Sequence, residues 1–85
     1  MISIYLISND PDTPFLVLRH LKSGYACWFV DYNTTLAEAV ARVFDDASCW
    51  HAPNVAYALE GNSYQLIATS PSLEALYLNY PELLI

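Results

Sequence analysis

The sequence predicts a small α+β protein with an antiparallel sheet of about five strands, in the order β-ββ-α-ββ-α, and two helices packed on one face. Three observations predict this class. Short apolar runs alternate with a period of two, glycine-containing turns separate pairs of such runs, and helix-capping signals precede two segments with apolar residues three and four positions apart. The 85 residues contain no linker or low-complexity tract, so residues 1–85 are expected to form a single compact domain.

Three strands are predicted in the first part of the chain. Alternating apolar residues place them at Ile2–Ile7, Phe15–Leu21 and Ala26–Tyr32. A tight turn at Ser23-Gly24 joins the last two as a hairpin. This turn places Arg19 opposite Trp28 and His20 opposite Cys27. Both faces of the hairpin are largely apolar, so two helices on one face leave the other face exposed.

The second part of the chain predicts a helix, a hairpin and a second helix. The capping box Thr35–Glu38 opens the first helix. Its apolar stripe consists of Leu36, Ala39, Val40, Val43, Phe44 and Ala47. Strands at Asn54–Glu60 and Tyr64–Thr69 then flank a turn at Gly61-Asn62. The second helix begins at Ser70-Pro71 or Ser72 and ends before Pro81. Its apolar stripe consists of Leu73, Leu76, Tyr77 and Tyr80.

A shortage of basic residues sets the charge of the chain. Three basic residues stand against nine acidic ones, which gives a net charge of -6. This balance argues against direct nucleic-acid binding and against docking on anionic membranes, because both need a surface rich in lysine and arginine. No apolar run has the length of a transmembrane helix, and Met1–Ile7 lacks the features of a signal peptide. Two cysteines are too few for a secreted disulfide scaffold, so the expected compartment is the cytoplasm.

An acidic and aromatic segment is the predicted partner-binding site. Asp45-Asp46 lies at the carboxyl end of the first helix, where the helix dipole disfavours negative charge. Such rule-breaking residues are often functional. Trp50 and His51 follow in a predicted loop, and the open hairpin face adds aromatic side chains and a cation. The predicted partner-binding residues are Asp45, Asp46, Trp50, His51, Trp28, Tyr32 and Arg19, with Arg19 expected to stack on Trp28.

These observations favour a small acidic, non-catalytic protein-binding module without a cofactor. We expect a regulator or inhibitor that masks a basic surface of a larger partner, for example a nucleic-acid-binding surface, as phage- or plasmid-type inhibitors do. An alternative is an obligate homodimer with a structural role, in which the spare apolar face closes the interface.

A further alternative is a small zinc-binding protein or thiol enzyme. Its candidate residues are His20, Cys27, Cys49 and His51. Two histidines and two cysteines can form a tetrahedral zinc site, but their spacing fits no standard zinc motif. A buried cysteine and a surface histidine are the more common interpretation of such residues.

Overall fold

A computed structural model describes residues 1–8, 11–22, 24–45, 48–51, 53–55, 59 and 64–84, with the backbone alone for residues 48–50. The strands are β1 (Ile2–Ile7), β2 (Phe15–His20), β3 (Tyr25–Val30), β4 (Ser48–Trp50) and β5 (Tyr64–Ser70). The helices are α1 (Leu36–Asp45) and α2 (Leu73–Asn79). Residues 53–55 and 59 are also helical.

The strands form one antiparallel sheet in the order β4-β3-β2-β1-β5. Four strands are six or seven residues long, and β4 adds three residues at one edge. The α+β class and the antiparallel sheet are therefore confirmed. A register shift between Ile4 and Tyr5 leaves Ile67 as an extra residue of β5, which is a β-bulge.

Helices α1 and α2 pack on one face of the sheet, as predicted. The shared core contains Ile4 and Val17 from the sheet, Val40 from α1 and Leu76 from α2, each without solvent exposure. The predicted caps are also present. The Glu38 amide donates to the Thr35 hydroxyl at 3.1 Å, and the Ala75 amide donates to the Ser72 hydroxyl at 3.2 Å.

The opposite face of the sheet is also covered, so the prediction of helices on one face alone is wrong. Val55, which is buried, and Leu59 pack there against the sheet residues Leu16, Leu18 and Cys27. These three residues expose at most 4% of their surface. The first hairpin therefore has no open apolar face on this side.

The predicted register of the first hairpin is wrong by two residues, whereas the division of its residues between the two faces is right. Arg19 lies opposite Ala26, and Tyr25 lies opposite His20. The Leu21 amide donates to the Gly24 carbonyl at 2.8 Å, so the chain reverses one residue earlier than Ser23-Gly24 would require. Periodicity alone fixes the face of a residue, and the turn fixes its partner.

The described residues do not form the predicted second hairpin. Of the predicted strand Asn54–Glu60, the described residues 54, 55 and 59 are helical, and β5 pairs with β1. Val55 and Leu59 are four positions apart, a spacing that also places them on one face of a helix. The packing of this segment on the second face of the sheet therefore outweighs the strand pattern of its local sequence. The predicted turn at Gly61-Asn62 lies outside the described residues.

Candidate functional site

Polar and apolar groups converge where β1 begins and where β2 and β5 end. Ile2 pairs with Arg19 on one side and with Ser70 on the other. The His20 amide also donates to the Met1 carbonyl at 2.8 Å. We call this end of the sheet, defined by Met1, His20 and Ser70, the Met1 rim.

A short hydrogen-bond chain lies on the Met1 rim, on the face away from α1 and α2. The Ser3 hydroxyl lies 3.3 Å from His20 Nε2 and 3.2 Å from the Thr69 hydroxyl. Ser3 exposes only 4% of its surface, and the Tyr25 ring packs edge-on against the imidazole with centroids 4.7 Å apart. The ring of His20 is therefore fixed by a buried hydroxyl and an aromatic neighbour.

The pKa of His20 is lowered from its ordinary value of 6.5. Partial desolvation of the ring is the main cause, and the positive charge of the Met1 amino group adds to it. Protonation of the imidazole is therefore less favourable than for a histidine in water. A neutral imidazole beside a serine hydroxyl can exchange a proton with it. Among the described residues, the hydrogen bonds of this pair lead to Thr69 and to no carboxylate.

A pocket of about 290 Å³ opens on the rim beside α2. Its lining residues are Met1, Ile2, Arg19, His20, Phe44, Pro71, Ser72 and Leu73. The Arg19 guanidinium carbon lies 4.3 Å from the centroid of the Phe44 ring. The pocket thus combines apolar walls with a cation held against an aromatic ring.

Ser70 is an unusual buried group on the same rim. Its hydroxyl has no hydrogen-bond partner among the described residues, and the residue exposes only 3% of its surface. It lines a second cavity of about 160 Å³ with Met1, Thr69 and Pro71. An unpaired buried hydroxyl costs on the order of 1–3 kcal/mol. This cost is one reason to regard the rim as a functional region.

Arg19 and Trp28, two predicted partner-binding residues, each contact a side chain of α1. Arg19 does not stack on Trp28, because the register places it opposite Ala26. The ring of Trp28 receives Arg42 from α1, with the guanidinium carbon 5.5 Å from its centroid. Both arginines of the chain therefore lie over aromatic rings between α1 and the sheet.

The remaining predicted partner-binding residues, as far as the structure describes them, lie in the turn after β3, at the end of α1 and around β4. Tyr32 is 85% exposed in the turn after β3, where Asp31 Oδ1 accepts a hydrogen bond from the Asn33 amide at 2.8 Å. Asp45 and His51 are also exposed. Asp46 lies outside the described residues. Trp50 belongs to β4, opposite Tyr25, and not to a loop as predicted; its side chain lies outside the description.

The proposed zinc and thiol sets are not brought together by the described residues. His20 and Cys27 are not direct cross-strand neighbours, since Cys27 lies opposite Leu18. Cys27 is buried, and the side chain of Cys49 lies outside the description. In the part of the chain that is described, no three histidine, cysteine or acidic side chains lie close enough to hold a metal ion.

Three apolar side chains on the two helices are exposed, which the periodicity of the sequence did not predict. Leu78 is 80% exposed, Tyr77 45% and Phe44 38%. The stripe predicted for the second helix placed Tyr77 in the core, but α2 is short and Leu76 takes the buried position. Exposed carboxylates also occur on the same two helices and the segment after α2, namely Glu38, Asp45, Glu74 and Glu82.

No family model, curated protein or solved structure matches this chain. Within the described residues, no helix has the length and apolar character needed to cross a membrane.

Proposed function

We propose that this chain is a non-catalytic protein-binding module whose helical layer docks on a basic and partly apolar surface of a larger partner. The observation that carries the proposal is the exposure of Leu78 and Tyr77 on α2, next to Glu74. Apolar side chains exposed side by side and rimmed by polar residues are typical of protein interfaces.

The charges of the helical layer support a basic partner. Glu38 and Asp45 on α1, Glu74 on α2 and Glu82 after it are all exposed. The one basic residue in the sequences of the two helices is Arg42, which lies over Trp28. A surface of this sign attracts a lysine- and arginine-rich patch. Masking a nucleic-acid-binding surface is one way in which such a regulator or inhibitor acts.

The test compares two surfaces of the same protein. Partners are captured from the native host with wild-type protein, identified by mass spectrometry and purified, and their affinity is measured by titration calorimetry. Tyr77→Ala/Leu78→Ala is expected to weaken binding at least tenfold, because truncation of central apolar anchors typically costs more than 1 kcal/mol each. Asp45→Asn/Glu74→Gln is expected to reduce the salt dependence of the affinity.

The matched control is Tyr32→Ala, which removes a more exposed aromatic residue outside the helical layer. It is expected to leave the affinity unchanged. The proposal is wrong if the purified partner binds Tyr77→Ala/Leu78→Ala as tightly as wild type, or if only Tyr32→Ala weakens binding.

A homodimer is a second candidate, favoured by the outer edge of β5. This strand has seven residues without charge or proline, and no described strand pairs with that edge. Uncharged edge strands of this length can pair with a second copy. Static light scattering at micromolar concentration should then give twice 9.6 kDa for wild type and the monomer mass for Leu66→Lys. A wild-type monomer would exclude this candidate.

A further inference from the structure

We propose that the pocket on the Met1 rim binds a carboxylate that carries a small apolar body, with Arg19 as the group that receives the carboxylate. This site is separate from the exposed surface of Tyr77 and Leu78, and the inference does not depend on the proposed function. The ligand chemistry is shared by a free aliphatic acid and by the carboxyl terminus of a peptide that ends in an apolar residue.

The side chain of Arg19 gives the pocket a positive charge. The chain has three basic residues, and Arg42 lies over Trp28, away from the pocket lining. The guanidinium of half-buried Arg19 rests on the Phe44 ring, and no acceptor of its N–H groups is found among the described residues. A guanidinium presents five donors in a planar fork that matches a carboxylate. An anion in the pocket would satisfy them.

The walls of the pocket select the rest of the ligand. Most lining residues are apolar, and Phe44 and Leu73 approach from the two helices. Such lining residues favour binding of an alkyl group and make no stabilising contact with a strongly hydrated inorganic anion. A volume of about 290 Å³ suits a small ligand rather than a nucleotide.

His20 reports on occupancy of the site. It lines the pocket from the end of β2, while its ring turns to the other face of the sheet towards Ser3. Its lowered pKa reflects desolvation and a nearby positive charge. A bound carboxylate counters that positive charge, so the pKa of His20 should rise on binding.

The experiment titrates isotope-labelled full-length protein with hexanoate and follows amide and histidine resonances by NMR. Hexanamide, which has the same body without the charge, and inorganic phosphate at equal ionic strength are the comparison ligands. We expect saturable shifts at Arg19, Phe44 and Leu73 with hexanoate, and at least tenfold weaker binding of the other two. Equal binding of hexanamide or of phosphate would overturn the proposal.

Two arginine variants provide a matched comparison. Arg19→Met and Arg42→Met remove the same charge and each break one arginine–aromatic contact with α1. Arg19→Met should weaken hexanoate binding at least tenfold, and Arg42→Met should weaken it less than twofold. Equal losses would show a general charge effect and overturn the site. If Arg19→Met does not fold, Arg19→Lys replaces it and should bind hexanoate more weakly than Arg42→Lys does.

Acetyl-Gly-Leu with a free carboxyl terminus distinguishes the two sources of the ligand. Tighter binding of this peptide than of hexanoate supports a polypeptide terminus as the ligand, and the reverse order supports a free acid. Both orders support the carboxylate site. If neither hexanoate nor the peptide binds, the carboxylate site is wrong. The docking of the helical layer is tested separately, by the variants at Tyr77 and Leu78.

Discussion

Single residues of the Met1 rim combine packing with hydrogen bonding in a way that links stability to pH. His20 touches a buried serine hydroxyl and a tyrosine ring, and its pKa in the folded protein lies below its ordinary value of 6.5. The unfolded chain therefore binds a proton more readily than the folded one between these two pKa values. Stability from this source is fully present above pH 6.5 and is lost as the pH falls through the folded-state pKa.

We accordingly expect His20→Gln to flatten the pH dependence of unfolding. Urea unfolding at several pH values from 7.5 to 5.5 should show a smaller fall in the free energy of unfolding for the variant than for wild type. His51→Gln is the control, because it changes an exposed histidine and leaves the contact between Ser3 and His20 intact. Identical slopes for wild type and His20→Gln would contradict this account.

The hydrogen-bond chain of His20, Ser3 and Thr69 shows what cannot be predicted from a single sequence. Alternation places Ser3 and His20 on known faces of their strands, but Thr69 joins them only because β5 pairs with β1. Nothing local in the sequence specifies that pairing. Arg19 shows the same limit, since its face was predicted correctly and its aromatic neighbour was not. The register and the packing of α1 decide that neighbour.

Secondary-structure elements with strong local signals were predictable, and those created by packing were not. β1 has the predicted bounds, and the caps at Thr35 and Ser72 open α1 and α2. β4 has only three residues and exists because it pairs with β3. The helical residues Val55 and Leu59 cover an apolar sheet face that the sequence suggested would be open. Tertiary packing, and not the local sequence, therefore determines that both faces of the sheet are covered.

A substitution at Val55 tests whether packing on the second face of the sheet contributes to the stability of the protein. It exposes 3% of its surface and packs on the face that carries Leu16 and Leu18. Val55→Ala is expected to lower the free energy of unfolding by about 2 kcal/mol, from lost methyl burial and the cavity left behind. Leu78→Ala, at an exposed position, should change it by less than about 0.5 kcal/mol. Urea denaturation measures both, and equal effects would contradict the assigned packing.

At the scale of the whole molecule, the two arginines contact aromatic rings, whereas Lys22 and many of the acids are exposed. Arg19 and Arg42 each lie over an aromatic ring between α1 and the sheet, so their charges also serve packing. Glu38, Glu74 and Glu82 remain exposed on the helical layer and the segment after it. With Asp45, they make four of the nine acidic residues of the chain, and these four lie where the proposed partner surface is. The pocket beside Arg19 differs from this surface because its charge is positive.

The pairing of the first strand with the last also has a consequence for synthesis. Ile2 pairs with Ser70, so β1 leaves the ribosome long before its outer neighbour β5 has been made. β1 is uncharged and mostly apolar, and a strand of this kind with an unpaired edge is prone to aggregate. The contacts between β1 and β5 are also far apart in sequence, which slows closure of the sheet. When β5 has been synthesised it pairs with the outer edge of β1, which is then no longer exposed. β5 itself becomes the edge strand of the sheet.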